Sequence, residues 1–283
     1  MIIVISGASG FIGRHLSAYF NSKGNEVRNI PRIESGLAEF IKTIEGTDVV
    51  INLAGAPVIG RWSRSYKDKL ISSRVKTTLQ IVEAINAAEK KPELLISASA
   101  IGIYSAQGEH TESKCVEADD FLGKLCREWE TAAKGKPVDT RLAIVRMGIV
   151  LGKDGGAFQR MFPLFRKGLG GKIASGKQGF SWIHIYDVVQ AIDYIISNRQ
   201  VQGVFNFTAP QVVDNHKFTL VLARAVGRRA FMAVPAFMLR LLFGEGSVAV
   251  AGGQFVHPEN LQKAGFMFNY PKLSDAVDDL INN

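Results

Sequence analysis

The first thirteen residues limit the fold more than any other stretch. Met1-Ile2-Ile3-Val4-Ile5 is apolar and β-branched, as a buried parallel strand requires. Ser6-Gly7-Ala8-Ser9-Gly10-Phe11-Ile12-Gly13 follows at once, and Arg14 to Phe20 then reads as a helix. Strand, glycine-rich turn and helix in this order open a dinucleotide-binding unit. Gly7 permits the tight turn, Gly10 lets the main chain approach a pyrophosphate, and Gly13 lets the helix pack on the strand. The turn and first helical turn, with Ser9, Phe11 and Ile12 between the glycines, then offer N–H groups and a positive dipole end to phosphates. The spacing is G-x-x-G-x-x-G rather than G-x-G-x-x-G.

A chain of 283 residues can bury a large core, as one enlarged domain or two intimate ones. Its 47% hydrophobic and 21% charged residues describe an ordinary globular protein. No signal leader is expected before the first strand, and no apolar run is long enough to span a bilayer. The expectation is a cytoplasmic protein without a membrane partner. Cys115 and Cys126 are too few for a disulfide scaffold or a zinc site, so no metal is expected. The net charge of +8 suits a phosphorylated ligand, with the positive residues scattered along the chain. Nucleic-acid binding would want a basic stripe with aromatics, which is not visible.

A second strand, Glu26 to Ile30, ends at Pro31-Arg32. Here a dinucleotide fold reads the adenosine ribose, with Asp or Glu for NAD and arginine for the 2′-phosphate of NADP. No carboxylate stands at this strand end, so Arg32 points to NADP. Leu37 to Ile44 has helical spacing. Asp48 to Leu53 is another buried strand, and its Ala54-Gly55-Ala56-Pro57 exit leaves room for a flat ligand. One long amphipathic helix is expected over Tyr66 to Glu89, then a strand over Leu94 to Ser99.

These strings, Asn52-Leu53-Ala54-Gly55 and Ser97-Ala98-Ser99-Ala100-Ile101-Gly102-Ile103-Tyr104 among them, resemble the extended short-chain dehydrogenase/reductase superfamily. More narrowly, the chain resembles its atypical YfcH-type, NAD-dependent epimerase/dehydratase-like branch. The strings that carry this are Arg61-Trp62, Ser73-Arg74-Val75, Phe121-Leu122, Trp129-Glu130, Gly148-Ile149-Val150-Leu151-Gly152, Gly168-Leu169-Gly170-Gly171, Ser181-Trp182-Ile183-His184-Ile185 and Val234-Pro235-Ala236-Phe237. The likeness runs to about Tyr270-Pro271, nearly the whole chain. It implies a Rossmann-like, doubly wound parallel α/β sheet binding NADP (NADPH), with a smaller, mostly helical substrate domain. It further implies Pro31 and Arg32 near the adenosine phosphate, Leu53 and Ala54 near the adenine, Gly55 and Arg74 as further cofactor contacts and Val150 near the nicotinamide. Ala56 departs from the Glu expected after Leu-Ala-Gly in this branch. The domain division expected is 1–150, with 181–208 returning to it, against 151–180 and 209–283.

Hydride transfer in this superfamily ordinarily uses a Ser/Thr, a tyrosine and a lysine four residues on. Registered on Glu130, the tyrosine position holds Leu122 and the lysine position Cys126; aligned on Tyr104, the hydroxyl position holds Ala100. All three roles are vacant. Ser99, Tyr104 and His184 are the remaining proton-transfer candidates, each with a packing role as the alternative. Arg146 either clamps an anionic substrate or sits in a buried ion pair, and Cys126 reads as core. Tyr19-x-x-x-Lys23 lies on the helix leading away from the nicotinamide and reads as coincidence.

Two functions follow. One is an NADP(H)-binding oxidoreductase or nucleotide-sugar-epimerase-like protein acting on an unknown small molecule. The other is a non-catalytic, NADPH-responsive regulatory or binding protein. On the substrate side, the glycine-rich stretch 168–179 reads as a lid. The apolar run Phe237 to Phe243 reads as core, with a greasy substrate pocket or a partner face as the alternatives.

Overall fold

Strand β1 (Ile2–Ser6) lies inside a sheet whose other strands are β2 (Glu26–Asn29), β3 (Val49–Asn52), β4 (Leu94–Ala100), β5 (Arg141–Met147) and β6 (Gly203–Phe207) in the computed structural model, which describes residues 1–282. The order is β2-β1-β3-β4-β5-β6 and every pairing is parallel, with Ile3 beside Val27 and Val49, and Ile96 beside Ile51 and Ala143. Side chains alternate between the faces. Ile3, Ile5, Ile51 and Ile96 pack with Leu16 and Phe20 of α1 (Phe11–Ser22) and with Val188 and Ile192 of a later helix, Ile185–Ser197. Val4, Val50 and Leu95 face the other way, onto Phe40 and Ile44 of α2 (Leu37–Ile44) and Ile81 and Ile85 of another helix, Thr77–Ala87. Both faces are covered, which is why the strands read as unbroken apolar runs. This is the doubly wound α/β fold expected from the sequence.

Because β1 is flanked by β2 on one side and β3 on the other, the winding reverses direction there. A crevice opens at the carboxyl ends of these strands, the position where such sheets take ligands.

The single helix expected over 66–89 runs unbroken from 64 to 87, its α-helical parts α3 (Arg64–Ile71) and α4 (Thr77–Ala87) continuous through a π-helical turn over Ser72–Lys76. Ser63 Oγ caps α3 by accepting from Tyr66 N at 3.2 Å. Arg74 sits inside the π turn, a device that locally re-aims side chains on an otherwise regular helix.

Three more helices follow in order: α5 (Phe121–Lys134), α6 (Gly156–Arg166) and α7 (Ile185–Ser197). A second core gathers Leu151, Phe158, Phe165, Trp182, Phe218 and Leu222 with Leu273, Val277 and Leu280 of the last helix. Leu261 and Phe266 pack in the main core instead. After α8 (Asn215–Ala225) comes α9 (Ala236–Phe243), where the expectation of core packing fails: of its side chains only Leu239 is buried.

Candidate functional site

The turn between β1 and α1 has the backbone that its glycines were chosen for. Gly7 has φ +73°, a conformation that side chains bearing a Cβ rarely adopt. Gly10 N donates to Gly7 O at 2.9 Å, closing the turn. A Cβ at Gly13 would lie 2.3 Å from Gly7 O and 2.6 Å from Ala8 Cα, so α1 meets the loop as closely as the chain permits. Gly10 is the N-cap and supplies no side chain, and the first turn of α1 carries no acid. Its N–H groups are therefore left for an anion, whereas α3, α5 and α8 are capped by Ser63, Asp120 and Asp214. Phe11 leaves the loop and lies on Gly152 and Gly155, where a Cβ on either would meet its ring at 2.3 Å.

The facing wall is fixed by a buried polar network. Ser6 Oγ donates to Asn52 Oδ1 at 2.6 Å and accepts from the backbone N–H groups of Leu53 and Ala54. Asn52 Nδ2 and Trp129 Nε1 both donate to Thr78 Oγ1, which donates to Arg74 O. The ends of β1 and β3 and the start of α4 are thereby held in one register, and the Leu53–Ala54 backbone is held with them.

Between these walls is a cavity of about 560 Å³. Of the residues singled out in the sequence, Gly7, Ser9, Pro31, Arg32, Ala54 and Gly55 line it. Gly10, Phe11, Ile12 and Gly13 build the loop and helix start beside it, and Leu53 lies half-buried in the backbone leading to it. Lys69, Ser73 and Thr77 line it too and were not foreseen. Their four-residue spacing puts them on one helix face, a pattern visible in the sequence once the Ala54-Gly55 wall is known to face them. Glu34 is the cavity's carboxylate, set beyond Arg32 rather than at the end of β2.

Arg74 stands behind Gly55, whose Cβ would come within 3.1 Å of the guanidinium. Nη2 donates to Ala56 O at 2.8 Å, and the group lies 5.4 Å from the Trp129 ring centre. Burial lowers the pKa of this arginine from its ordinary value. Val150 is buried in a short parallel pairing with Ile183.

The proton-transfer candidates stand elsewhere. Ser99 Oγ donates to Glu130 Oε1 at 2.7 Å, and Glu130 takes two hydrogen bonds from Arg146, both at 2.8 Å. Arg146 Nη1 also donates to Tyr104 Oη, which donates to Asn206 Oδ1, each at 2.7 Å. Every member is buried, Tyr104 completely. Burial pushes the Tyr104 phenol up to about 12 despite the adjacent guanidinium, so it is held as the neutral hydroxyl. Of the two readings for Arg146, the buried ion pair is the one found. Cys126 is buried in a small core with Ile101 and Ile103, and burial followed by nearby Glu130 pushes its thiol up to about 12, far from a nucleophile's range. Tyr19 and Lys23 both bond Asp193 on α7, a clamp between two helices.

His184 is the N-cap of α7, its Nδ1 accepting from Tyr186 N at 3.2 Å. Its ring packs 4.1 Å from the Tyr270 ring, with Nε2 3.4 Å from Asp279 on the last helix. Burial lowers its pKa from 6.5 to about 4 against the pull of Asp279. A histidine depressed on folding stabilises above its unfolded value and loses that contribution as the pH falls. Stability is expected to fall by about 3 kcal/mol between roughly pH 6.5 and pH 4 on this account. Urea unfolding across that range, with His184→Asn keeping a cap but not the titration, should show a flatter profile for the variant.

A model of the NAD dependent epimerase/dehydratase family matches residues 3–207. The chain belongs to this family. A second model, a domain of unknown function called DUF1731, matches residues 234–280. Among epimerase family relatives, the mouse protein SDR39U1 is 34% identical over 99% of this chain and 100% of its own. The Arabidopsis thaliana homologue, described as chloroplastic, is 37% identical over 98% of this chain and 86% of its own. The crystal structure of human SDR39U1 with NADPH covers both chains completely at 32% identity, with a TM-score of 0.94. The atypical short-chain dehydrogenase/reductase resemblance is thus upheld along the whole length of this family member.

Proposed function

We propose that this family member binds NADPH in the switch-point cavity and serves an oxidoreductase or nucleotide-sugar-epimerase type of reaction on a small molecule. The observation that carries the reading is Arg32 on the cavity wall, beside a strand end that has no carboxylate for a ribose hydroxyl. The crystallisation of the human relative with NADPH supports it. The residues fit the group: the close-packed Gly13, the side-chain-free start of α1 and the volume beside Arg32 suit a pyrophosphate and an adenosine 2′-phosphate. When bound, a nicotinamide supplies or accepts a hydride. The chain's part is to hold phosphates on the loop, to pair Arg32 with the 2′-phosphate, and to brace the adenine wall with Arg74 behind Gly55. Ser99 and Tyr104 are bonded to Glu130, Arg146 and Asn206, which gives both a packing role in the sheet. We place the protein in the cytoplasm, without a nucleic-acid partner.

The same bonded state of Ser99 and Tyr104 favours a second reading, an NADPH-responsive binding protein without turnover. A panel of nucleotide sugars and small carbonyl compounds, offered to the NADPH-loaded protein, separates the two. Oxidation of the cofactor supports the enzyme, and bound NADPH left intact across the panel supports the binding protein. Tyr104→Phe, run alongside, is expected to cost about 1–3 kcal/mol in stability by stranding Asn206 and Arg146. NADPH affinity and any turnover should stay unchanged; lost turnover at unchanged stability would make Tyr104 catalytic.

A further inference from the structure

The positive charge of the chain is not scattered once the fold divides it. Within the smaller lobe, segments 155–180 and 209–243 hold ten lysines and arginines and a single acid, Asp214, a net charge of +9. Residues 151–154 and 244–283 of the same lobe hold three lysines and six acids, leaving the lobe at +6 of the chain's +8. The remainder of the molecule is therefore close to neutral.

The same segments expose large apolar side chains. Phe231 is 79% exposed, Phe237 71%, Leu241 77% and Leu242 61%, and Leu164 and Leu169 are half-exposed. These form one edge. A strand over Met232–Val234 pairs in parallel with Gly171–Ile173, which brings Phe231 level with Gly170 beside Leu169. Leu169 N donates to Leu164 O at 2.9 Å, and Arg228 Nε donates to Arg166 O at 3.3 Å. Helix α9 continues directly from that strand, with Phe237 and Leu241 one turn apart and Arg240 between them. Arg166 and Arg228 thus lie at the Leu164–Leu169 end of this edge, and Arg240 lies on α9 at the other. Large apolar side chains left exposed along a paired strand and the helix that follows it mark an interaction site rather than ordinary surface.

The charge selects the occupant. A second copy of the chain would bring +9 against +9, which disfavours self-association through this edge. A nucleic acid would neutralise the cations but leave leucine and methionine side chains in water. An anionic bilayer satisfies both: arginines and lysines meet headgroup phosphates while the apolar side chains enter the acyl boundary. We propose that α9, the strand before it and the 164–169 turn dock this protein peripherally on an anionic lipid surface. Docking is peripheral because no described helix is long and apolar enough to cross a membrane. It departs from the expectation of no membrane partner, which rested on spanning segments alone.

Co-sedimentation of the full chain with phosphatidylglycerol-rich vesicles, against pure phosphatidylcholine vesicles, tests this. The protein should partition about tenfold or more in favour of the anionic vesicles, and less as salt is raised. Phe237→Glu with Leu241→Glu, and separately Arg228→Glu with Arg229→Glu, should each cut that partition by about tenfold. Circular dichroism and NADPH titration of both variants show that the fold persists. Wild-type protein left equally in solution with both vesicles would overturn the proposal. So would either double variant sedimenting like wild type, or a vesicle-independent dimer that Leu241→Glu dissociates.

Discussion

Glu130→Ala is expected to lower stability by about 3–5 kcal/mol, the largest effect of any single change at the sheet's carboxyl end. Glu130 and Arg146 pair across α5 and β5 with both side chains nearly free of solvent contact. Burial alone would lower the Arg146 pKa, yet the paired carboxylate raises it, so the guanidinium stays charged in the interior. Removing the carboxylate leaves that charge unpaired and takes the acceptor from Ser99 as well. Tyr104 then becomes the arginine's one remaining side-chain partner in the network, and a hydroxyl cannot neutralise it. Replacing both partners, Glu130→Met with Arg146→Met, should recover most of the loss, because no buried charge remains. Chemical denaturation of the two single variants and the double variant measures the coupling. A double variant as unstable as the sum of the singles would show that the two act independently.

The second large effect concerns binding. Gly13→Ala adds one methyl group, placed 2.3 Å from Gly7 O, 2.6 Å from Ala8 Cα and 2.9 Å from Ala8 C. These are backbone atoms, so no side chain can swing aside to make room. Either α1 moves out from the sheet or the loop shifts, and both displace the N–H groups aimed at the phosphates. NADPH affinity should fall by about a hundredfold, equivalent to about 3 kcal/mol, with a further 1–3 kcal/mol lost from stability by overpacking. Gly24→Ala is the matched control, since a Cβ there meets nothing within 4 Å and its cost is one of backbone conformation alone. Isothermal titration of both variants separates a local defect of the loop from general weakening.

How much of this was legible in the sequence depends on what kind of fact each feature is. The role of Gly13 is a missing Cβ, and a missing atom can be read directly. The strands were legible because burial on both faces leaves runs such as Ile2–Ile5 and Val49–Ile51 no room for polar residues. Arg32 was legible because a fold of this kind interrogates one fixed place for charge. Ser99, Tyr104 and His184 were not resolved, because a hydroxyl or an imidazole looks alike whether it faces a cavity or a buried partner. Their partners Glu130, Asn206 and Asp279 lie 31, 102 and 95 positions away in the chain. The π turn at Arg74 leaves no mark on apolar periodicity, so the helix was legible and the bulge within it was not. Helix α9 read as core because hydrophobicity records what a side chain prefers, not whether a neighbour arrives to cover it. The concentration of charge in segments 155–180 and 209–243 was present in the sequence throughout and needed only the fold to group it.

The central claim is that the cavity at the carboxyl ends of β1 and β3 takes NADPH through Arg32. Titration of the purified protein with NADPH and NADH, repeated on Arg32→Ala, tests it most directly. NADPH should bind more tightly than NADH to the natural protein, and loss of Arg32 should weaken NADPH by roughly tenfold to a hundredfold while leaving NADH unchanged. Equal weakening of both nucleotides, or no binding of either to the natural protein, would contradict it.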